Sequence, residues 1–221
     1  MKAKRNIFIT AVALLSLISS CSVISFYPLY TDDVLIRDDR IIGKWSTIEE
    51  KGIHPNDIDT LVWEISFNDK KWVKKLNTPY DRGSHQETNQ YAYSLFLHYN
   101  SSPEDKTEFQ LHLVKLNGKT YIDFYPEEWS IDNTILAFHI MGVHTFAKVD
   151  IHEDYISIEW FDSDWFEQKL KENKIRIKHE KNSDNILLTA QPKDLQKFVI
   201  KYSDDENAFD KDNKFELKPI K

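Results

Sequence analysis

Apolar and polar residues alternate along most of the chain from Trp45 onward. A period of two is typical of β-strands that bury one face and expose the other. Most of the alternating segments are rich in aromatic and β-branched residues, and short turn-like segments separate them. The pattern predicts strands at 44–49, 61–68, 71–76, 90–99, 108–116, 119–125, 135–150 with a break near Gly142, 154–161, 174–179, 185–190 and 213–218.

Two segments in the second half of the chain have the spacing of helices instead. The segment 162–173 begins with Asp and Ser, which are common N-cap residues, and places Trp165, Phe166 and Leu170 on one side. The segment 192–204 opens with a proline at a first-turn position. Its apolar stripe consists of Leu195, Phe198, Val199 and Tyr202. We therefore expect two short helices beside the strands.

The sequence Leu116-Asn117-Gly118-Lys119 is the strongest turn signal in the chain. A two-residue type I′ turn needs positive φ at both central residues, which Asn and Gly tolerate. Pairing Leu116 with Lys119 predicts a register in which two apolar pairs share one face with Phe109, namely Leu113 with Ile122 and Leu111 with Phe124. The opposite face then carries Gln110, His112, Tyr121, Asp123 and Tyr125, with His112 opposite Asp123.

The strand before this hairpin adds further apolar residues to the same face, because burial fixes the register of a strand. These residues are Tyr91, Tyr93, Leu95, Leu97 and Tyr99. Three strands with one apolar and one mixed face resemble the wall of a meandering barrel. The predicted fold is mainly β: an antiparallel, lipocalin-like meander barrel or sandwich with two short helices packed on it.

The N-terminus has the three parts of a secretory signal, which are basic residues, a short apolar stretch and small residues. Lys2, Lys4 and Arg5 precede an apolar stretch at 7–18, which is shorter than a comfortable membrane span. The stretch ends in Leu17-Ile18-Ser19-Ser20-Cys21, and the chain has no other cysteine. The alternative interpretation is an ordinary signal peptide or membrane anchor followed by a chance cysteine.

This ending resembles the lipobox of bacterial lipoproteins. The resemblance implies that the Cys21 thiol receives a diacylglyceryl group, that the leader 1–20 is removed and that the new amino group is acylated. Several acyl chains, at about 0.8 kcal/mol per buried methylene, give a stable anchor. Ser22 after the cysteine implies an outer-membrane destination.

We divide the chain into a signal peptide at 1–20, a lipidated tether at 21–40 and one domain at 41–221. The tether is apolar enough that we expect it to lie against the domain.

Other segments resemble families with known folds. Gly43-Lys44-Trp45 is similar to the G-x-W signature of lipocalins, and Arg176 is a candidate for the late arginine that packs on that tryptophan. A T-D-Y-type loop motif is missing. Nearly the whole chain resembles a group of bacterial lipoproteins with lipocalin-like barrels. The resembling stretches are 27–31, 42–45, 144–149, Asp164-Trp165, 187–190 and 194–198. The resemblance implies a lipid anchor and an antiparallel barrel, and it implies no activity.

The charge of the chain limits its partners. The net charge is −7, and removal of the three positive charges in 1–20 takes it to −10. An acidic body argues against nucleic acid, whose binding depends on Lys and Arg contacts to phosphates. It also argues against peripheral binding to anionic lipid, so the acyl chains would provide the anchoring.

Motifs of catalysis or cofactor binding are missing from the sequence. There is no G-x-S-x-G elbow, P-loop or dinucleotide fingerprint. His98, His112 and Asp123 form the nearest approach to a metal site, but we favour a solvated outer face with a cross-strand His–Asp pair.

Acids stand beside tryptophans at Glu127-Glu128-Trp129, Glu159-Trp160 and 162–165, a composition found where sugars stack. A glycosidase needs two carboxyl groups roughly 5–10 Å apart, and we favour turn and helix N-terminal roles for these acids. We expect no metal and no cofactor, and we favour a non-enzymatic role.

The aromatic content of the strands suggests the function. An eight-stranded barrel either packs solid or holds one small ligand, and the sequence leaves both possibilities open. We expect a non-catalytic protein that binds a hydrophobic small molecule or lipid, in a cup lined by Tyr93, Leu95, Leu97, Leu111, Leu113, Ile122 and Phe124. The first alternative is an assembly lipoprotein with a solid barrel that docks a protein or glycan, and the second is an envelope hydrolase.

Overall fold

The computed structural model describes residues 23–47, 60–68, 91–128, 141–181, 185–211 and 214–220. The strands are β1 Ile24–Ser25, β2 Leu35–Ile36, β3 Gly43–Thr47, β4 Leu61–Phe67, β5 Ala92–Tyr99, β6 Ser102–Leu116, β7 Lys119–Glu128, β8 His144–Ile151, β9 Ile156–Trp160, β10 His179–Lys181, β11 Ile186–Leu188 and β12 Phe215–Pro219. The helices are α1 Ser163–Lys171 and α2 Pro192–Tyr202. Short 3-10 turns occur at Asp32–Val34, Asp39–Ile41 and Glu206–Ala208.

Eight strands close into an antiparallel barrel. Strands β3 to β9 are neighbours in chain order, and β12 returns between β9 and β3 to close the ring. The helices and the β10–β11 hairpin are inserted between the seventh and eighth barrel strands. This confirms the predicted mainly β barrel with two helices, and closure of the sheet excludes the sandwich.

The β6–β7 hairpin has the predicted register. Leu116 pairs with Lys119, Leu113 with Ile122 and Leu111 with Phe124. Asn117 and Gly118 have φ values of 48° and 80°, as a type I′ turn requires. The local turn and the apolar face therefore specify the same pairing.

The helix ends also follow from local chemistry. The Asp162 carboxylate accepts a hydrogen bond from the Trp165 backbone N–H at 2.7 Å and so caps the N-terminus of α1. Pro192 occupies the first turn of α2. At the end of α1, Asn173 has a φ of 56°, a left-handed conformation that stops the helix.

Apolar side chains form two separate cores. The barrel core lies inside the barrel and contains Ile41, Trp45, Trp63, Ile65, Tyr93, Leu95, Leu111, Leu113, Ile122, Phe124, Ala147, Val149, Ile156, Ile158 and Leu217. The outer core lies between the helices and the outer face of β6, β7 and β8. It contains Val23, Leu29, Leu35, Val114, Leu116, Tyr121, Phe146, Phe161, Trp165, Phe166, Ile175, Leu188, Ala190, Leu195, Phe198, Val199, Ala208 and Phe209.

An N-terminal strap, residues 23–36, crosses the outer face of the barrel. Its strand β1 pairs with β8 and β11, and β2 pairs with β6. The strap and α2 cover the face that we expected to be solvated. His112 is 1 % exposed and Asp123 is 0 % exposed. The expectation of a solvated face was wrong because the second layer over this wall comes from distant parts of the chain.

Two predicted strand boundaries also change. Strand β6 begins at Ser102, six residues before the predicted start. Of the predicted strand 174–179, only His179 lies in a strand, and residues 174–178 run irregularly beside α2. The predicted strand 71–76 and residues 135–140 lie outside the described residues.

Candidate functional site

One end of the barrel, which we term the capped end, is closed by the 3-10 turn Asp39–Ile41. Ile41 is buried in the barrel core, and its carbonyl accepts a hydrogen bond from the Trp45 indole N–H at 2.9 Å. Gly43 has a φ of 150°, and a Cβ there would lie 3.5 Å from Trp45 Nε1. Arg40 donates to the Ile151 carbonyl at 3.1 Å. The Gly-x-Trp stretch therefore forms the floor of the barrel.

Arg176 does not belong to this floor. We considered it as the arginine that packs on Trp45, but it lies in the segment beside α2. Arg40, which precedes the tryptophan in the chain, lies at the capped end instead.

Most of the predicted cup residues lie in a tightly packed half of the barrel next to the cap. Tyr93, Leu95, Leu111 and Leu113 are 0 % exposed and Ile122 is 1 % exposed, so protein covers these residues on all sides. The hydroxyl of Tyr93 accepts a hydrogen bond from the Asp38 backbone N–H at 2.8 Å, which ties the cap to the core. All of them face the barrel interior, as predicted from the alternation.

The other half of the interior is aromatic and less tightly covered. The aromatic end, as we term it, is where β4 begins, opposite the Gly43 end of the barrel. Ring contacts cross the interior there: Trp63 meets Phe124 and Phe215, and Trp160 meets Phe124 and Phe215, with centroids 5.2–6.4 Å apart. Two of these rings, Trp160 and Phe215, are half-buried. The other half-buried apolar side chains at this end are those of Leu61, Leu97 and Phe109. Of the predicted cup residues, Leu97 and Phe124 belong to this end.

The aromatic end also contains one unpaired donor. Trp63 is 4 % exposed, and its indole N–H has no hydrogen-bond acceptor within the described part of the chain. A buried donor without a partner costs roughly 1–3 kcal/mol. An acceptor atom on a bound molecule would recover this energy.

A second polar group is buried beneath the strap, on the outer face. The Asp123 carboxylate accepts a hydrogen bond from His144 Nδ1 at 2.7 Å and another from the Leu29 backbone N–H at 2.8 Å. Gln196 on α2 donates to the Leu29 carbonyl at 3.0 Å. These contacts fasten the strap to the barrel and to α2.

Aromatic rings cover both histidines of this group. Tyr30 lies over His112 with centroids 4.1 Å apart, and Tyr125 lies over His144 at 4.6 Å. Burial, together with the nearby Asp123 charge, raises the pKa of the Tyr30 phenol above its usual range. A His–Asp pair resembles part of a catalytic triad, but the strap covers this one and leaves no room for a substrate. We assign it a structural role.

The pairing of Asp123 with His144 was not predicted. The hairpin register placed His112 opposite Asp123, and these residues are indeed cross-strand neighbours. The hydrogen bond instead comes from β8, whose register no local turn in the sequence specifies. The apolar composition of the strap is a signal for this burial, because its apolar residues leave water only if the strap covers one face of the barrel.

The three residues that came nearest to a metal site in the sequence, a site that we did not favour, are not all neighbours in the fold. His98 lies six residues along β5 from Ala92, the partner of His112, and therefore about 20 Å away along the strand. Its Nε2 instead lies 3.4 Å from Glu64. Hydrogen bonds from Lys106 and Lys44 lower the pKa of Glu64 to about 2. Within the described ranges, no group of three or more His, Cys, Asp or Glu residues has metal-site geometry.

The acids beside tryptophans also have structural partners. Glu159 forms ion pairs with Lys148 at 2.9 Å and with Lys214 at 3.0 Å, and Asp162 caps α1. Burial raises the pKa of Glu159, but the two ion pairs lower it by more, so the pKa lies below its ordinary value. Asp162 has the helix N-terminal role that we favoured over sugar cleavage, whereas Glu159 lies within strand β9 rather than on a turn.

Several predicted features lie outside the described residues. These are the signal peptide 1–20, the lipidation site Cys21 and Trp129. Within the described chain, neither helix has the length and hydropathy to span a bilayer.

Comparisons with known proteins add no relative. No family model matches the chain, and searches of curated proteins and of solved structures return no similar protein. A function for this chain therefore follows from the geometry of the barrel and from the resemblances in its sequence.

Proposed function

We propose that this chain is a lipid-anchored protein of the bacterial envelope, in the outer membrane, whose barrel binds a hydrophobic small molecule or lipid without catalysis. The observation that carries the proposal is the aromatic end of the barrel. There, half-buried apolar side chains surround rings that lie on four different strands, above a packed floor. Small-molecule sites are typically concave and mostly apolar, with few polar groups.

The shape of the interior limits the ligand. Because the half next to the cap is filled, the ligand lies against Trp63, Leu97 and Phe215 rather than against the deeper leucines. The Trp63 indole N–H, which has no acceptor among the described residues, supports a ligand that carries one acceptor, such as an ester or carboxyl oxygen. We therefore propose a ring system or a short acyl segment as the part of the ligand that lies at the aromatic end.

The second candidate is an assembly lipoprotein with a solid barrel that docks a protein or glycan. The full burial of Tyr93, Leu95, Leu111 and Leu113 favours it, because half of the interior has no space for cargo. A binding measurement at the aromatic end separates the two candidates.

We expect Phe215→Ala to weaken binding of the fluorescent probe N-phenyl-1-naphthylamine roughly tenfold, because an aromatic ring contact contributes about 0.5–1.5 kcal/mol beyond its buried area. The chain from residue 22, secreted with a cleavable leader, is titrated with the probe. Phe26→Ala removes the same atoms from a residue that is 43 % exposed on the strap and serves as the matched control. Saturable binding that Phe215→Ala weakens supports the cup, and no saturable binding by the native sequence favours the solid barrel.

We expect Cys21→Ala to abolish membrane anchoring. The alanine lacks the thiol that accepts the diacylglyceryl group, so the protein should accumulate as an unprocessed or soluble form. Cell fractionation followed by intact-mass measurement checks this. If the processed form of the variant stays in the membrane fraction, the lipid anchor is wrong, whatever the barrel binds.

A further inference from the structure

A groove of about 800 Å³ separates α2 from the segment 173–178 on the outside of the barrel. Its volume lies within the 300–1,000 Å³ of typical small-molecule sites. The groove belongs to neither the barrel interior nor the buried His–Asp group. It is the region where sequence alternation predicted a strand that does not form.

The alternation in this segment gives the groove an apolar floor and a cationic rim. Lys174, Arg176 and Lys178 are exposed, whereas Ile175 is buried and Ile177 is half-buried. On the opposite wall, α2 supplies one buried aromatic side chain and two exposed lysines, namely Phe198, Lys197 and Lys201.

The charge of the groove opposes that of the whole chain. Its lining includes five cationic side chains and one carboxylate, although the chain has a net charge of −7. Lys174 is paired with Glu172 at 2.7 Å, and Lys197 is paired with Asp194 at 2.8 Å. Arg176, Lys178 and Lys201 have no carboxylate partner within the ranges that the structure describes.

An amphiphile with an anionic head matches this arrangement. A guanidinium and ammonium groups favour phosphate oxygens, and the floor of isoleucine and phenylalanine favours a hydrocarbon segment. A free phosphate would leave the apolar floor unused. An acidic peptide would bring backbone polar groups that the apolar floor does not satisfy.

The groove also lies close to the start of the mature chain. β1 runs parallel to β11 with Ile24 beside Leu187, so Val23 lies about 10 Å along the sheet from Thr189, where β11 leads into the groove. Cys21 precedes Val23 by two residues, which adds a reach of about 7 Å. An acyl anchor at Cys21 therefore keeps the groove within about 17 Å of the anchoring point, a step that rests on the proposed lipid anchor.

We propose that this groove binds one anionic phospholipid of the anchoring membrane. Its phosphate contacts Arg176 and Lys178, and the adjoining part of its acyl chains lies over Ile177 and Phe198. The negative net charge of the chain argued against contact with anionic lipid. The net charge does not describe this groove, however, because cationic side chains are concentrated around it.

Native mass spectrometry of the full-length protein, as processed by its host and held in a non-ionic detergent, tests the proposal. The protein is mixed with dihexanoyl phosphatidylglycerol, dihexanoyl phosphatidylcholine or glycerol 3-phosphate at equal concentrations. We expect the anionic lipid to bind roughly tenfold more tightly than the zwitterionic lipid, because both carry a phosphate but the zwitterionic lipid also brings a choline cation to the cationic rim. We expect Arg176→Gln with Lys178→Gln to remove this preference.

The matched control is Lys115→Gln with Lys218→Gln, which removes the same charge from exposed positions on β6 and β12. Loss of the preference in the groove variant alone supports the proposal. Equal binding of both lipids, or equal loss in both variants, overturns it. Binding of glycerol 3-phosphate as strong as that of the anionic lipid also overturns it, because the apolar floor would then play no part. None of these outcomes depends on the Cys21→Ala result.

Discussion

Asp123→Ala is expected to lower the free energy of unfolding by about 3 kcal/mol or more. The substitution leaves two buried donors without an acceptor, His144 Nδ1 and the Leu29 backbone N–H. Each orphaned donor costs roughly 1–3 kcal/mol, so the two together cost about 3 kcal/mol or more. Urea unfolding of the chain from residue 22, followed by tryptophan fluorescence, measures the change.

Two further variants show that the hydrogen bonds cause the effect. Asp150→Ala removes an exposed carboxylate from the neighbouring strand β8 and should change stability by less than about 0.5 kcal/mol. Asp123→Asn keeps one acceptor oxygen and should fall between Asp123→Ala and the native sequence. A loss of less than about 1 kcal/mol in Asp123→Ala would contradict the assignment of this group as the fastening of the strap.

The position of Asp123 also has a consequence for the function. The strap joins the proposed anchor to the barrel wall, and Asp123 holds it at Leu29. If Cys21 carries the proposed anchor, the fastened strap fixes the orientation of the barrel relative to the membrane, whereas a free tether of this length would not. The buried polar group thus links the stability of the wall to the position of the groove beside α2.

The parts of the fold that the sequence predicts well are those that local rules specify. In the β6–β7 hairpin, Asn117-Gly118 sets the turn and the Leu111 and Leu113 face sets the register, so two independent constraints agree. The helices follow in the same way from the Asp162 cap and the proline at position 192.

The parts that it does not predict depend on which element covers which surface. The mixed face of the hairpin has the composition of a solvated face, but the strap and α2 bury it. Residues 174–178 alternate as a strand does, yet within the described ranges they belong to no strand, and α2 lies alongside instead. Alternation gives the direction of a side chain, and burial depends on contacts between residues that are far apart in the sequence.

The difference between side-chain direction and burial also separates the predicted cup from the observed interior. Every predicted cup residue faces inward, because inward direction follows from the period of two. Which of them are packed and which are half-buried depends on the closing of the barrel at Ile41 and on the rings that meet across it. The sequence has no local signal for that division.

Leu111→Ala and Leu97→Ala form a matched pair that tests this division, since both remove the same atoms from inward positions. Leu111 is fully buried, so its truncation should leave a cavity and cost about 3 kcal/mol of unfolding free energy, within the 2–5 kcal/mol range of such substitutions. Leu97 is half-buried at the aromatic end, and its truncation should cost roughly half as much. Binding of N-phenyl-1-naphthylamine should weaken roughly fivefold in Leu97→Ala and stay unchanged in Leu111→Ala. If Leu111→Ala instead weakens the probe while losing less than about 1 kcal/mol of stability, the ligand reaches the floor of the barrel. The interior then opens as the deep cup that the alternation predicts, and the packed half is only its unliganded form.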